Sequence, residues 1–358
     1  MPTIINRDEL LRQLECLQVG LSSREILEQS NCFVFNKGQA MTFNGEIRLS
    51  CESPFGKAVT GAIKAEPLLN VLRKIPEGEV EIEPAEGELR LLGSKKRRKA
   101  GICMEQEITL PVAEIEAPKT WVKLPEDFPE ALKIVQRCAG TNERKFVSVC
   151  VHLHPKWLEA CDEFQLCRWK MKTGFTGEAL IRSSSASAIA SLGMTEFSEG
   201  KNWLHFRNGN GLLLSCCRYM EEFPDLSKFL QEAEGTPVTL PKGLAEAVDV
   251  AQVFSAEDKD NNHIRVDIRP GRVKISGRGI SGWYSETKKL VGYDGPPIAF
   301  LVSPELLMDL VSRHNECKIS TTRLIVENGA YKYLACLFDP DQGMDNEEEA
   351  PAASEESE

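Results

Sequence analysis

The chain has 358 residues, 42% of them hydrophobic and 27% charged, with a formal net charge of −11. That length suits two or three domains, and the balance is that of a folded globular protein rather than a disordered or fibrous one. No apolar run approaches the roughly 18 residues of a membrane helix, and Met1–Asp8 lacks the basic and apolar regions of a signal peptide, so a cytoplasmic protein with no membrane partner is expected.

The charge is unevenly placed. Residues 341–358 hold eight acids, Asp341, Asp345, Glu347, Glu348, Glu349, Glu355, Glu356 and Glu358, and no base. Removing those eight charges from −11 leaves −3 for residues 1–340, a nearly neutral body whose charges can be segregated by face. The composition of 341–358 predicts a disordered acidic tail. The twelve cysteines are scattered, mostly in apolar segments, and none forms a Cys-x-x-Cys pair. They read as reduced structural thiols rather than as a zinc site, a redox motif or a disulfide framework.

In chain order, Leu10, Leu11, Leu14 and Leu17 share one face of a helix that opens near Arg7. Residues 31–36 and 40–50 predict a hairpin, and a second helix, Glu66–Lys74, stops before Pro76-Glu-Gly78. Alternation over Glu79–Glu83 and Glu88–Leu92 predicts two half-exposed strands. The same order then returns. A helix over Phe128–Cys138 is followed by a strand over Phe146–Leu153, a helix of small residues over Ala186–Leu192, and a hairpin whose turn is Asn208-Gly-Asn-Gly211. A third copy has helices over Leu244–Phe254 and Glu305–Arg313. Its strands fall over Ile264–Ile268, Val273–Ile275, Leu324–Glu327 and Tyr331–Phe338.

The period is roughly 117 residues, which marks three tandem helix-on-antiparallel-sheet domains of the α+β class. Their expected limits are 1–117, 118–235 and 236–340, followed by the tail, 341–358. Each repeat ends in strands that need partners, and joining sheets across the boundaries, or between two chains in a ring, would supply them.

Few residues suggest catalysis. His152 and His154 could share one strand face, but no third metal ligand stands at a suitable spacing. Cys161 and Cys167 lack a nearby histidine to activate a thiol. Glu257, Asp258 and Asp260 lack the spacing of an EF-hand, and Asn208–Gly211 precedes no helix that would make it a phosphate cradle. The densest positive patch is Lys95-Lys96-Arg97-Arg98-Lys99, a solvated loop or a nucleic-acid patch by composition.

Several segments taken together resemble the bacterial DNA polymerase III beta subunit, the sliding clamp, over residues 1–340. They are Leu10-Leu-Arg-Gln-Leu-Glu-Cys-Leu17, Leu21-Ser-Ser-Arg-Glu25, Leu72-Arg-Lys-Ile-Pro-Glu-Gly78, Ala160-Cys-Asp-Glu-Phe-Gln-Leu166, Glu222-Phe-Pro-Asp-Leu-Ser-Lys-Phe-Leu230 and Tyr331-Lys-Tyr-Leu-Ala-Cys-Leu-Phe338. The resemblance implies the DNA-clamp fold: each chain is half of a ring, two chains close it head to tail as a homodimer, and duplex DNA threads the hole. It implies a non-enzymatic processivity factor with no cofactor, which tethers DNA polymerase and the clamp loader through a short peptide motif. Weak phosphate contacts that carry no sequence information suit such a sliding tether.

By the same resemblance, Arg24, Arg73, Arg144, Lys145 and Phe146 stand where the family touches DNA, and Ser183-Ser-Ser185 replaces a basic residue. The partner-peptide pocket is implied at Val147, Cys161, Glu163, Phe164, Gln165, Leu166, Pro224, Phe229, Leu334 and Cys336. Glu163, Phe164 and Gln165 depart from the small and basic residues usual there, and Phe164 could narrow the groove. Lys95–Lys99 falls on the strand that joins one subunit to the next, facing either DNA or an acidic stretch such as Glu257–Asp260 of the neighbouring copy. The acidic tail extends beyond the usual end of the family, beside the pocket, and could shield it or repel acidic ligands. The competing readings are a scaffold that keeps the fold without encircling DNA, and a DNA-processing enzyme whose site is unrecognised.

Overall fold

The computed structural model describes residues 3–76, 78–93, 97–112, 114–231, 235–257 and 262–340. The chain forms two compact units, one of residues 1–162 with 169–223, the other of residues 163–168 with 224–358.

The first unit is built on helix pairs and antiparallel sheet. Helix α1 (Arg7–Leu17) starts where the Asn6 Oδ1 accepts the backbone N–H groups of Asp8 and Glu9, each at 3.0 Å. That cap satisfies two of the donors a helix start leaves open. Leu10, Leu14 and Leu17 are fully buried, as their spacing demands. Helix α2 (Ala65–Lys74) packs against α1 and buries Leu68, Leu69 and Leu72. Pro76 keeps Ile75 extended, so α2 ends there. Helices α3 (Phe128–Val135) and α4 (Ser183–Ser191) repeat the pairing, α3 running on into a 3-10 turn at Gln136–Cys138.

The expected hairpin at 31–50 has three strands, Cys32–Asn36, Gln39–Phe43 and Ile47–Glu52. The Asn44 Oδ1 accepts the N–H groups of Glu46 and Ile47, and Gly45 takes a φ of 91°, so the chain folds back where the sequence reads as continuous. Strand Ile47–Glu52 then pairs with Leu213–Cys217, Ser50 opposite Leu213 and Ile47 opposite Cys216. That seam carries a single twelve-stranded antiparallel sheet through the first unit, joining strands of residues 3–105 to strands of residues 122–217. Phe33, Phe35, Phe128, Phe197 and Phe206 are fully buried in this unit.

The expected strand Phe146–Leu153 is corrected. Phe146–Val149 is a 3-10 turn, and the strand is Cys150–His154. The Lys145 carbonyl accepts both the N–H and the hydroxyl of Ser148, at 2.9 and 2.7 Å, which closes a turn in place of a ladder.

One sheet of the second unit has strands Trp283–Lys289, Arg272–Arg278, Ile264–Arg269 and Ile298–Val302, in that spatial order. Strands Tyr331–Cys336, Arg323–Asn328, Glu316–Ile319 and Thr236–Thr239 follow one another in a second. A short helix α5 (Ser227–Gln231) precedes helices α6 (Leu244–Ser255) and α7 (Pro304–Arg313), which pack together. Helix α6 lies close on strand Arg272–Arg278, because a Cβ at Gly277 would collide with the Ala251 carbonyl oxygen.

Candidate nucleic-acid and partner interfaces

On α2, Arg73 reaches α1. Its Nη2 and Nε lie 2.9 and 3.2 Å from one oxygen of Glu15, and both side chains are about two-fifths exposed. Arg24 is exposed in the segment between α1 and strand Cys32–Asn36. Arg144 and Lys145 stand exposed on the loop before the 3-10 turn, where the Asn142 Oδ1 accepts the Arg144 N–H at 3.1 Å. The loop presents both cations on a fixed backbone.

Phe146 is half-buried against Val149, Cys150 and Leu180. Its ring meets Tyr219 edge-on, with centroids 4.7 Å apart, and carries the Arg182 guanidinium 5.2 Å above it. Arg182 stands immediately before α4 and bonds the Glu143 carboxylate at 2.6 Å. Its Nε lies 3.5 Å from Glu46, to which the Tyr219 hydroxyl donates at 2.5 Å. Burial raises the Glu46 carboxyl above its ordinary range. Arg182 is a basic residue immediately before Ser183–Ser185 that the sequence reading did not single out, although its position one residue before the helix was visible in the sequence.

His152 and His154 do share a strand face, and Glu178 supplies a third group, 3.3 and 3.4 Å from the two Nε2 atoms. The Lys156 N–H donates to the His154 Nδ1, however, which leaves the proton of neutral His154 on Nε2. His154 then donates toward Glu178, stacked 3.5 Å from Trp157, and the cluster is a hydrogen-bonded brace. His152 Nδ1 meets the buried Glu159 at 2.8 Å.

Of the expected peptide-binding residues, Val147 lies in the 3-10 turn of the first unit. Cys161 ends its strand Trp157–Cys161, where burial pushes the thiol up to about 11. The second unit brings others together. The Cys336 N–H donates to the Phe164 carbonyl at 2.7 Å, and the Tyr333 hydroxyl to the Gln165 side chain at 3.1 Å. The Phe164 ring lies 6.0 Å from Phe338, which meets His263 edge-on at 4.6 Å. Phe229 has the Arg323 guanidinium 6.0 Å above it. Phe164 and Phe229 are each 47% exposed, whereas Leu166 and Leu334 are buried. Glu163 precedes this group, and Pro224 is exposed ahead of α5.

Two further surfaces stand out, the first at the cation run singled out in the sequence. In the first unit a cavity of about 490 Å³ has Val71, Ile75, Leu91 and Ala100 among its lining, with Lys74, Arg97, Arg98 and Lys99 at its rim. Strand Lys99–Glu105 pairs along 88–92 on one side, but on the other meets Gly61–Lys64 only at Met104 and Glu105. Arg97 and Arg98 precede this strand rather than lying in it, and Lys95 and Lys96 fall outside the described residues, as do Asp258, Asp260 and the tail. In the second unit Val250 and Val253 of α6 are exposed, with Trp283 70% exposed on the neighbouring edge strand and Ile280 97% exposed in the turn that leads into it. The Ser281 N–H donates to Glu257 at 2.8 Å beside them.

No protein-family model and no curated protein matches the chain. Solved structures do. The DNA polymerase III beta chain of Streptococcus pneumoniae TIGR4 superposes with a TM-score of 0.76 at 16% identity, over 95% of this chain and 100% of that one. The Bacillus subtilis DNA polymerase sliding clamp gives 0.74 at 15%, over 94% and 98%. The beta subunit of Thermotoga maritima gives 0.75 at 12%, over 94% and 99%. The chain therefore has the α+β sliding-clamp fold, matched along nearly its whole length. Among the described residues no helix is long and apolar enough to cross a membrane.

Proposed function

We propose that this protein is a sliding clamp: a non-enzymatic, cytoplasmic ring that encircles duplex DNA and tethers a DNA polymerase and other DNA-processing proteins. The observation that carries it is the near-complete coverage in both directions, since all but a few residues of each relative have a counterpart here. A graft of one clamp-like domain onto an unrelated protein would leave much of either chain unmatched.

Three domains per chain, with limits near 118 and 236, fit the helix pairs α1–α2, α3–α4 and α6–α7. Two chains close the ring head to tail. The half-open strand Lys99–Cys103 and the apolar cavity beside it accept the edge Trp283–Lys289 and the exposed Val250, Val253, Ile280 and Trp283 of a second copy. Glu257, beside Ser281, would approach Arg97–Lys99 across that junction.

Arg24, Arg73, Arg144, Lys145 and Arg182 supply loose phosphate contacts, and Phe146 stiffens the loop that carries two of them. Phe164, Phe229 and Phe338 offer exposed aromatic anchors to an extended peptide, bounded by Glu163, Gln165, Leu166, Pro224, Leu334 and Cys336. The same reading gives Val147 and Cys161 a peptide-binding role.

Negative-stain electron microscopy of the purified protein tests the ring. Six-lobed rings with an open centre, of twice the chain mass in solution, are the expected outcome. Single chains at every concentration, with no retention on circular DNA, would leave a scaffold that has kept the fold alone.

A further inference from the structure

We propose that Glu143 is an internal stand-in for a DNA phosphate: its carboxylate occupies the outer edge of the Arg182 guanidinium in the free protein and yields that edge to the backbone of duplex DNA. This rests on the DNA reading above.

Two acids share Arg182, and they differ in kind. Glu46 is largely buried, lies 3.5 Å from the guanidinium Nε and accepts the Tyr219 hydroxyl. Glu143 accepts from Nη1 at 2.6 Å, and its side chain is 68% exposed. The Phe146 ring stacks beneath the same guanidinium at 5.2 Å. Glu46 and Phe146 therefore orient Arg182 without help from Glu143, and the Nη1 edge is the one free to change partner. A carboxylate and a phosphate offer a guanidinium the same kind of charge-assisted bond. The exchange strands no buried charge, because the released Glu143 goes into water.

Glu143 also stands where the exchange is felt by other cations. It belongs to the turn Asn142-Glu143-Arg144-Lys145, in which the Lys145 N–H donates to the Asn142 carbonyl at 2.9 Å and the Arg144 N–H to the Asn142 Oδ1 at 3.1 Å. An acid beside Arg144 and Lys145 subtracts from the positive field they present. A surface shaped for affinity alone has no use for it. A tether that slides needs phosphate contacts that are made and broken at little cost, and an internal competitor makes each contact shallower. The arrangement recurs on α1 and α2, where Glu15 holds Arg73 at 2.9 Å with both side chains partly exposed.

The test is a double-substitution cycle in the full-length chain, read by fluorescence anisotropy of a short labelled duplex from about 50 to 200 mM NaCl. Glu143→Gln is expected to tighten binding about threefold at the lowest salt and to steepen the slope of log affinity against log salt by up to about 0.9, so that the gain fades at the highest. Arg182→Gln should weaken binding, and the combined variant should bind no tighter than Arg182→Gln alone. Should Arg182→Gln fail to fold, Arg182→Lys leaves Glu46 a cation but replaces the fork by a single ammonium, and Glu143→Gln should gain less than twofold on that background. A gain that persists undiminished without the Arg182 guanidinium would make Glu143 a source of general repulsion and overturn the exchange. Unchanged or weaker binding by Glu143→Gln would overturn it too, while leaving the DNA reading in place. A parent chain with no affinity for the duplex at any salt removes the DNA reading and the exchange together.

Discussion

Arg73 on α2 is bonded to Glu15 on α1 through two nitrogens to one carboxylate oxygen, at 2.9 and 3.2 Å. The pair links helices α1 and α2 of the first unit and holds a candidate DNA cation in one orientation. Both partners are about two-fifths exposed, so its contribution to stability is small, about 0–1 kcal/mol. Arg73→Ala is expected to leave thermal unfolding nearly unchanged while lowering DNA affinity and the steepness of its salt dependence. Glu15→Gln, which frees the guanidinium, should raise DNA affinity. Fluorescence anisotropy with duplex DNA across a salt series reads both. Equal affinities in all three proteins would place Arg73 outside the DNA path.

The Glu46 carboxylate accepts the Tyr219 hydroxyl and faces Arg182, yet burial is the largest influence on it and raises its pKa. An acid that is harder to ionise when folded contributes stability that is complete below its unfolded value, near 4.5. That contribution is lost as pH rises through the higher folded value. Glu46→Gln is therefore expected to flatten the decline in melting temperature as pH rises above the unfolded value near 4.5. Denaturation followed by circular dichroism at several pH values checks this, and an unaltered slope refutes it.

Gly277 has no room for a methyl group against the Ala251 carbonyl. Gly277→Ala should push α6 from its strand and cost about 1–3 kcal/mol by overpacking. Val253→Asp, on the exposed side of α6, should leave folding intact and abolish self-association. Urea melts and sedimentation together separate the two effects; a Val253→Asp dimer as tight as the parent would count against the proposed junction.

Thiol chemistry should divide the cysteines into two classes. Cys16 and Cys103 are exposed and should react with a chromogenic disulfide reagent first. Cys32 is pushed by burial up to about 11, and Cys150 and Cys317 up to about 12. These three should react only on unfolding. Rapid labelling of Cys150 in the folded protein would show that the packing around Phe146 opens readily.

The leucine-rich helices were legible because one buried face fixes their period: Leu10, Leu14 and Leu17, or Leu68, Leu69 and Leu72. Helix α4 was located but begins earlier than expected, at Ser183, since small residues carry little periodic signal. Phe146 and Val147 read as strand by type, but the turn that claims them depends on the hydrogen bonds of Ser148, which no alternation reveals. The basic rim was visible as a run of cations. The floor beneath it was not, because Val71 comes from helix α2, Ile75 from the extended residue just past its end, and Leu91 and Ala100 from two different strands. Arg182 was missed for a similar reason: its partners Glu46, Glu143 and Tyr219 are distant in sequence and meet only at the seam of the sheet.

The cavity and the α6 patch are unlike faces, one an apolar cavity with a basic rim and the other an exposed apolar surface. Subunits joined through unlike faces always leave one of each unfilled, until the angle at the junction brings the last subunit back to the first. Whether such a protein makes a closed particle or an endless fibre is then a question of a few degrees. Small packing changes around Trp283 or Ile75 would then turn the ring proposed above into filaments without unfolding any part of it.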